Sequence, residues 1–514
     1  MSKTIIIIGA GLAGLSAALQ AAENACNVKL VSSLPSERAQ SVMAEGGINA
    51  ALNTKDENDS PEEHFTDTIK AACGLADPNA VWGMTQAAPE LVHWLLKLGV
   101  KFNMSGYDDV DLRNFGGQKK KRTAFAQSDT GKQIMTAMID AVRRKEASGM
   151  VERFSHHSFL TLRLCGNICC GCVIRDEYSQ ETVELPGDAV IVATGGMHGL
   201  FGNTTGSLSN TGEVTAELFR LGVPLANGEM IQYHPTTVKC GGKRMLISEA
   251  ARGEGGRLFA MKDGKQWYFM EEKYPELGNL MPRDITAREI WKVSHESEVF
   301  LDMTEISEEI ISNKLSGLAD DCMTYLHKDI RKEPVSVLPG IHYFMGGILV
   351  DEQHRTPIQN LYAAGECCAQ YHGANRLGGN SLLGALYGGR VAAKSACEQA
   401  DVVDLSCATQ IDFPPASQIS EIKQLNKVMQ ETMGVVRNEN TLLNGIQTVQ
   451  ALTGNLPLLG MAVLKSALAR KESRGAHWGE DYPKSNDDDY LKTTVARFDG
   501  KQIQISFVPV PERR

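Results

Sequence analysis

The chain has 514 residues, too long for one simple core and enough for roughly two to four domains. Hydrophobic residues make up 42% and charged residues 22%, the balance of a soluble globular protein and not of a largely disordered one. A formal net charge of −10 argues against general nucleic-acid binding, although a local basic pocket for an anionic substrate is compatible with it.

Ile5 to Ile8 is an all-apolar, β-branched run, the mark of a strand buried on both faces. Gly9-Ala10-Gly11-Leu12-Ala13-Gly14 follows, then an alanine-rich helical pattern from Leu15 to Ala22 and a second strand from Val28 to Val31. Strand, glycine turn, helix and strand in that order predict a nucleotide-binding unit. The glycines let backbone approach a pyrophosphate where a helix N-terminus offers unpaired N–H groups and a favourable dipole. The acidic residue that a simple NAD site has after its second strand is absent; Ser32 stands there, with a hydroxyl able to bond a ribose. The same stretch is not read as a secretory leader, because it lacks a strong basic region and glycines interrupt it. No other stretch reaches the ~18 apolar residues of a membrane span, so the expectation is a cytoplasmic chain with reduced cysteines.

Further along, the basic run Lys119 to Arg122 reads as a solvated loop, with a minor alternative of drawing dianions toward a cleft. The chain has twelve cysteines, and their densest group is "CGNICCGC", Cys165 to Cys172. Its spacing fits no standard zinc or iron–sulfur pattern, and Gly166-Asn167 predicts a hairpin turn between short strands. Two more buried strands are expected in "GDAVIVATGG" (187–196) and "IQNLYAAGECC" (358–368), each followed by small residues able to bring backbone against a cofactor. The intervening segment, from Glu229 to about Phe344, is richer in charge. Helical spacing dominates from Ile419 to Ala469, and the end from Arg474 is polar, with the acidic run Asp487 to Asp489 expected as a solvated face.

Chemistry concentrates in a few motifs. "QYHPT" carries His234 and Thr236; "LISEAARGEGG" carries Ser248, Glu249, Arg252 and Glu254; "PRDITAREI" carries Arg283 and Arg288. "PGIHYFMGG" carries His342, and "HGANRLGGNSLLGALYGGR" carries His372, Arg376, Asn380 and Ser381. Singly each has a plain reading; Glu249 and Arg252, three apart, are an ordinary helix-surface pair. Together they supply guanidinium groups, imidazoles, a hydroxyl and a carboxylate beside glycine-rich backbone, the means of holding a small dianion against a cofactor.

With "AEGGINAAL" (44–52), "FGGQKKKRTAFAQSDTGKQ" (115–133), "ATGG", "YAAGE" and "RKESRGAHWGEDYP" (470–483) added, nearly the whole chain resembles the flavoprotein subunit of fumarate reductase and succinate dehydrogenase, in a superfamily that includes L-aspartate oxidase. The resemblance implies an α/β fold: a Rossmann-like FAD-binding domain (1–228 and 345–405) interrupted by an α+β capping domain (229–344), then a C-terminal helical domain and tail (406–514). It implies FAD held by Gly9, Ala10, Gly11, Gly14 and Ser32; by Gln40, Ser41, Ala44, Glu45, Gly46 and Gly47; by Thr194, Gly195 and Glu213; and by Tyr343, Gly365, Glu366, Arg376, Ser381 and Leu382. His342 and Arg376 would bind one carboxylate of a C4 dicarboxylate, His234 and Ser248 the other, with Phe115 packed near the substrate. Arg283 would be the proton donor, relayed through Glu249 and Arg252.

Three departures qualify the resemblance. Gln40 stands where the branch commonly has a histidine bonded to the flavin, which implies non-covalent FAD. Glu213 replaces a usual aspartate, and the chain is shorter than many members, chiefly in its C-terminal half. An iron–sulfur subunit as partner, with attachment through it to the inner face of a membrane, is a further implication. L-aspartate oxidase, a reductase of another 2-enoate and a non-catalytic flavin electron-transfer subunit are the alternatives. Phe115 argues against the oxidase, which has a glutamate there for the substrate ammonium. No metal site and no membrane-spanning segment are expected.

Overall fold

The structure, a computed structural model, describes residues 2–106, 109–401, 413 and 418–514. Thr4–Ile8 is the centre of a parallel sheet of five strands, in the order 361–363, 189–192, 4–8, 27–32 and 151–155. Ile5, Ile6 and Ile7 are fully buried, as a strand covered on both faces requires. The helix Leu12–Glu23 packs closely on the later helix Asn380–Gln399: a Cβ on Gly389 would lie 2.2 Å from the Ala13 carbonyl oxygen, and Ser16 Oγ donates to Leu386 O. Helix 380–399 is thereby fixed with its N-terminus beside the first glycine turn, although over 350 residues separate them.

The expected cysteine-rich hairpin is present. His157–Cys165 and Ile168–Asp176 pair antiparallel around Gly166-Asn167, and Cys169 and Cys172 are buried in an apolar layer under the main sheet. Among the described residues ten cysteines are free thiols, but Cys165 is disulfide-bonded, which departs from a wholly reduced set.

The segment after Glu229 adds a three-stranded antiparallel sheet (243–246, 231–240, 338–344) and a four-stranded one (265–267, 257–262, 299–302, 335–336). It has an apolar cluster of its own, built on Ile247, Leu258, Ile290, Leu301 and Val337, joined from outside the segment by Phe115. Helices Ile419–Thr432, Glu439–Val449 and Asn455–Ala469 follow the helical spacing of the sequence. The tail differs from expectation. Lys492–Phe498 and Ile503–Pro509 form a hairpin whose first strand joins 225–226 and so extends the sheet that contains 347–349. Asp487 to Asp489 are exposed, yet Asp487 also pairs with Arg474 at 2.5 Å. Among the described residues no helix is long and apolar enough to cross a membrane.

Candidate active site

A cavity of about 500 Å³ runs from the first glycine turn to the junction with the 229–344 segment. At its nucleotide end Gly9 has φ +112°, and a Cβ there would lie 2.3 Å from Ala193 O, so only glycine fits. Gly11 precedes helix 12–23 with no side-chain cap, leaving first-turn N–H groups aimed at the cavity; Ser41 Oγ accepts from Leu12 N at 3.2 Å. Gly14 does not line the cavity. A Cβ there would lie 1.9 Å from Gly9 O, so its part is to let helix and turn close up. Ser32 Oγ is buried with no partner among the described residues, an orphaned hydroxyl where a ribose would bond. Helix 380–399 brings a second uncapped N-terminus, entered through Gly379 at φ +83°, with Ser381 and Leu382 on the wall. These features fit FAD.

The remaining residues expected at the cofactor, Ala10, Gln40, Ala44 to Gly47, Thr194, Gly195, Glu213, Tyr343, Gly365 and Glu366, all line the same cavity. Glu366 accepts from Phe344 N at 3.1 Å. Burial, and then the nearby Asp321 charge, raise the Glu45 carboxyl to about 8, and its Oε2 has no partner.

The far end of the cavity is built on two paired strands and two helix starts. His234 lies in strand Ile231–Cys240 at a register shift, and His342 in strand Leu338–Phe344, with ring centroids 5.1 Å apart. Thr205 Oγ1 lies 2.8 Å from His342 Nδ1, and His234 Nδ1 lies 3.1 Å from Thr236 O. Ser248 caps the short helix Glu249–Gly253, accepting from Ala250 N. Arg283 opens helix Arg283–Val293 directly after Pro282. Arg376 comes from the loop before Gly379, and its guanidinium lies 4.4 Å over the Tyr343 ring. Phe115 is wedged between glycine backbones: a Cβ on Gly46 would lie 2.8 Å from its ring and one on Gly378 3.1 Å from it.

Glu249 joins the basic groups. Its Oε2 accepts from Arg283 Nε at 2.8 Å and Nη2 at 2.6 Å, and its Oε1 accepts from Arg252 Nη2 at 3.2 Å and from Gly116 N at 3.1 Å. The pair 249/252 is therefore not the surface pair its spacing suggests; Glu249 is 2% and Arg252 3% exposed. Burial opposes the Glu249 charge, but Arg283 and Arg252 outweigh it and hold the carboxyl below the usual range. Arg252 does not line the cavity; it sits behind Glu249 and donates to Asn279 O at 2.5 Å.

Burial first, and then Arg283, push both His234 and His342 well below the ordinary imidazole range, so both are neutral at neutral pH. Burial and then Arg283 bring the Arg376 guanidinium down to about 9. It forms no hydrogen bond or ion pair to any described residue, and its buried Nε has no partner. The site thus holds more positive charge than Glu249 neutralises.

Arg288 is elsewhere, 3.9 Å over the Trp478 ring. His372 packs against Tyr343, and Asn380 bonds Asn49, His64 and Thr68. Sequence reasoning passed over Thr205, Gly116 and Gln232. Each acts through a contact more than 130 residues away in the chain, and only the glycines around "FGGQ" and the strand before "HPT" hinted at two of them.

Residues 4–382 match the FAD binding domain family, and 452–513 match the C-terminal family of the fumarate reductase flavoprotein. Fold and cavity together define an FAD-dependent oxidoreductase. The succinate dehydrogenase flavoprotein subunit of Bacillus subtilis is 38% identical over 100% of this chain and 98% of its own length. The 8-methylmenaquinol:fumarate reductase flavoprotein subunit of Wolinella succinogenes is 32% identical over 100% and 92%. The chain belongs to the family of succinate dehydrogenase and fumarate reductase flavoprotein subunits. Its fold superposes on E. coli quinol fumarate reductase, in a mutant form of the flavoprotein chain, with a TM-score of 0.90 at 27% identity, over 99% of this chain and 97% of that one.

Proposed function

We propose that the protein reduces fumarate to succinate, or runs the reverse reaction, with non-covalently held FAD. The observation that carries this reading is the buried Arg376 guanidinium without an anionic partner, in one cavity with Arg283, His234 and His342. A buried charge of that kind is costly unless a ligand completes it, and a dianion does so. Arg376 and His342 take one carboxylate; His234 and Ser248 take the other, the neutral imidazoles acting as hydrogen-bond donors. Phe115 packs against the carbon chain. Two clamped carboxylates hold the double bond in place and polarise it. FAD, when bound, supplies or takes up the hydride.

Arg283 delivers the proton to the second alkene carbon. For a guanidinium this needs near-concerted replacement, and Glu249, between Arg283 and Arg252, is placed to provide it. Gln40 offers no imidazole for a covalent flavin bond. The domain borders at 228, 344 and 405, the last outside the described residues, an iron–sulfur partner and peripheral attachment to a membrane through it belong to the same proposal. Its support is the separate apolar cluster of the capping segment and the kinship with subunits of reductase and dehydrogenase complexes.

The test is steady-state turnover of fumarate, aspartate and a panel of 2-enoates with reduced viologen or flavin as donor. Fumarate is expected to be far the best substrate. Equal or greater turnover of aspartate would move the chain to the oxidase class, and turnover of no substrate would leave an electron-transfer subunit.

A further inference from the structure

Gln232 is fully buried in strand Ile231–Cys240 and does not line the cavity. Its side-chain amide nevertheless joins the two arginines of the site. Oε1 accepts from Arg283 Nη1 at 3.0 Å, while Nε2 donates to the Arg376 carbonyl at 2.8 Å and to Asn375 Oδ1 at 3.0 Å. The direction of the amide is dictated by chemistry: a guanidinium only donates and a backbone carbonyl only accepts, so oxygen must face Arg283 and nitrogen must face Arg376.

Glu249 Oε2 takes Nε and Nη2 of Arg283, and Gln232 takes Nη1. The guanidinium is held on both edges, and its remaining N–H groups are left for a ligand. Glutamine is the neutral side chain that meets both demands at this reach. Methionine keeps the length and loses the bonds. An ionised glutamate sets an oxygen against the Arg376 carbonyl and a second negative charge on Arg283. A protonated glutamic acid, in contrast, keeps a carbonyl toward Arg283 and an O–H toward the Arg376 carbonyl, and gives up only the bond to Asn375.

We infer that Gln232 is a positioning residue of the reaction: it orients the Arg283 guanidinium and ties it to the backbone of the dicarboxylate-binding Arg376. This rests on the roles proposed above for those two arginines.

The test compares FAD-loaded wild type, Gln232→Met, Gln232→Glu and Arg283→Gln in fumarate reduction with reduced viologen from about pH 5.5 to 8.5, with fumarate affinity, FAD content and melting temperature measured alongside. Gln232→Met is expected to lose roughly 10- to 100-fold in kcat, with fumarate affinity within about threefold of wild type. Gln232→Glu is expected to match it at pH 8.5 and to regain activity as pH falls and the new carboxyl takes a proton. That limb should be absent from wild type and from Gln232→Met, and a residue that only stabilised the fold would not produce it. A Gln232→Glu profile parallel to wild type, or Gln232→Met keeping more than half of wild-type kcat, overturns the inference. Wild type inactive on fumarate defeats the proposed function; wild type active, Arg283→Gln inactive and Gln232 variants unaffected defeats only the role of Gln232.

Discussion

Arg376→Met should weaken dicarboxylate binding while making the protein more stable. The guanidinium is 2% exposed and is brought from an ordinary 12.5 down to about 9, chiefly by burial. The unfolded chain therefore holds this proton more tightly than the folded one, and the charge destabilises the folded protein at every pH below about 9. At about 1.4 kcal/mol per unit the shift sets an upper bound of about 5 kcal/mol. Relaxation, water in the cavity and the lost contact with Tyr343 reduce this, and a gain of about 1–2 kcal/mol, or about 1–2 °C in melting temperature for a chain of this length, is expected in the FAD-loaded, ligand-free protein at pH 7. Fumarate affinity, read from the flavin spectrum of the oxidised protein, should fall roughly 10- to 100-fold, the worth of a charge-assisted, two-pronged contact. In wild type the dianion favours the protonated guanidinium, so affinity should be steady below pH 9 and fall by up to about tenfold per unit above it; the variant should lack that limb. Fumarate affinity within threefold of wild type, or a lower melting temperature at unchanged FAD content, would refute the reasoning.

Arg283→Gln should abolish turnover with fumarate and FAD still bound, a loss of at least about 10²-fold, while Arg283→Lys keeps a little activity and Arg288→Gln costs much less; more than a tenth of wild-type turnover in Arg283→Gln would place the acid elsewhere. Acid precipitation should leave a colourless pellet and a yellow supernatant, since Gln40 cannot bond the flavin; a yellow pellet would contradict this. His234 and His342 titrate well below 6.5, so fumarate affinity should be flat from pH 6 to 8, and a transition in that range that disappears in His342→Gln would show a charged imidazole in the free site. Phe115→Glu should depress fumarate turnover by placing a carboxylate beside the dianion, measured as a raised KM.

The nucleotide cradle was legible because its signals are local: a four-isoleucine strand, three glycines and a helix lie within about twenty residues, and each glycine answers a steric demand of its immediate neighbours. The substrate end was legible only as an assortment of motifs. Spacing alone made Glu249 and Arg252 a surface pair; their burial comes from Phe115, Gly116 and the start of helix 283–293, segments far away in the chain. Thr205 left no local mark and Gln232 only its place in the strand before "HPT", because a buried amide or hydroxyl takes its meaning from the partner the fold brings to it. The tail misled for another reason. Strand 503–509 is an outer strand with mixed exposure, so its pattern was too polar to stand out, and the neighbouring acidic run suggested solvent.

The bond from Gly116 N–H to Glu249 makes an interlock of the site. Gly116 belongs to the loop that carries Phe115, whereas Glu249 belongs to the cap, and a Cβ on Gly116 would lie 2.6 Å from the carboxylate and 3.1 Å from Met281 O, so the seam has no slack. With the domain borders proposed above, an outward swing of the cap would break this contact. On the proposed borders Glu249 and Arg283 would travel together in such a swing, so their pairing would survive it while the bond tying that pair to the Phe115 loop would be lost.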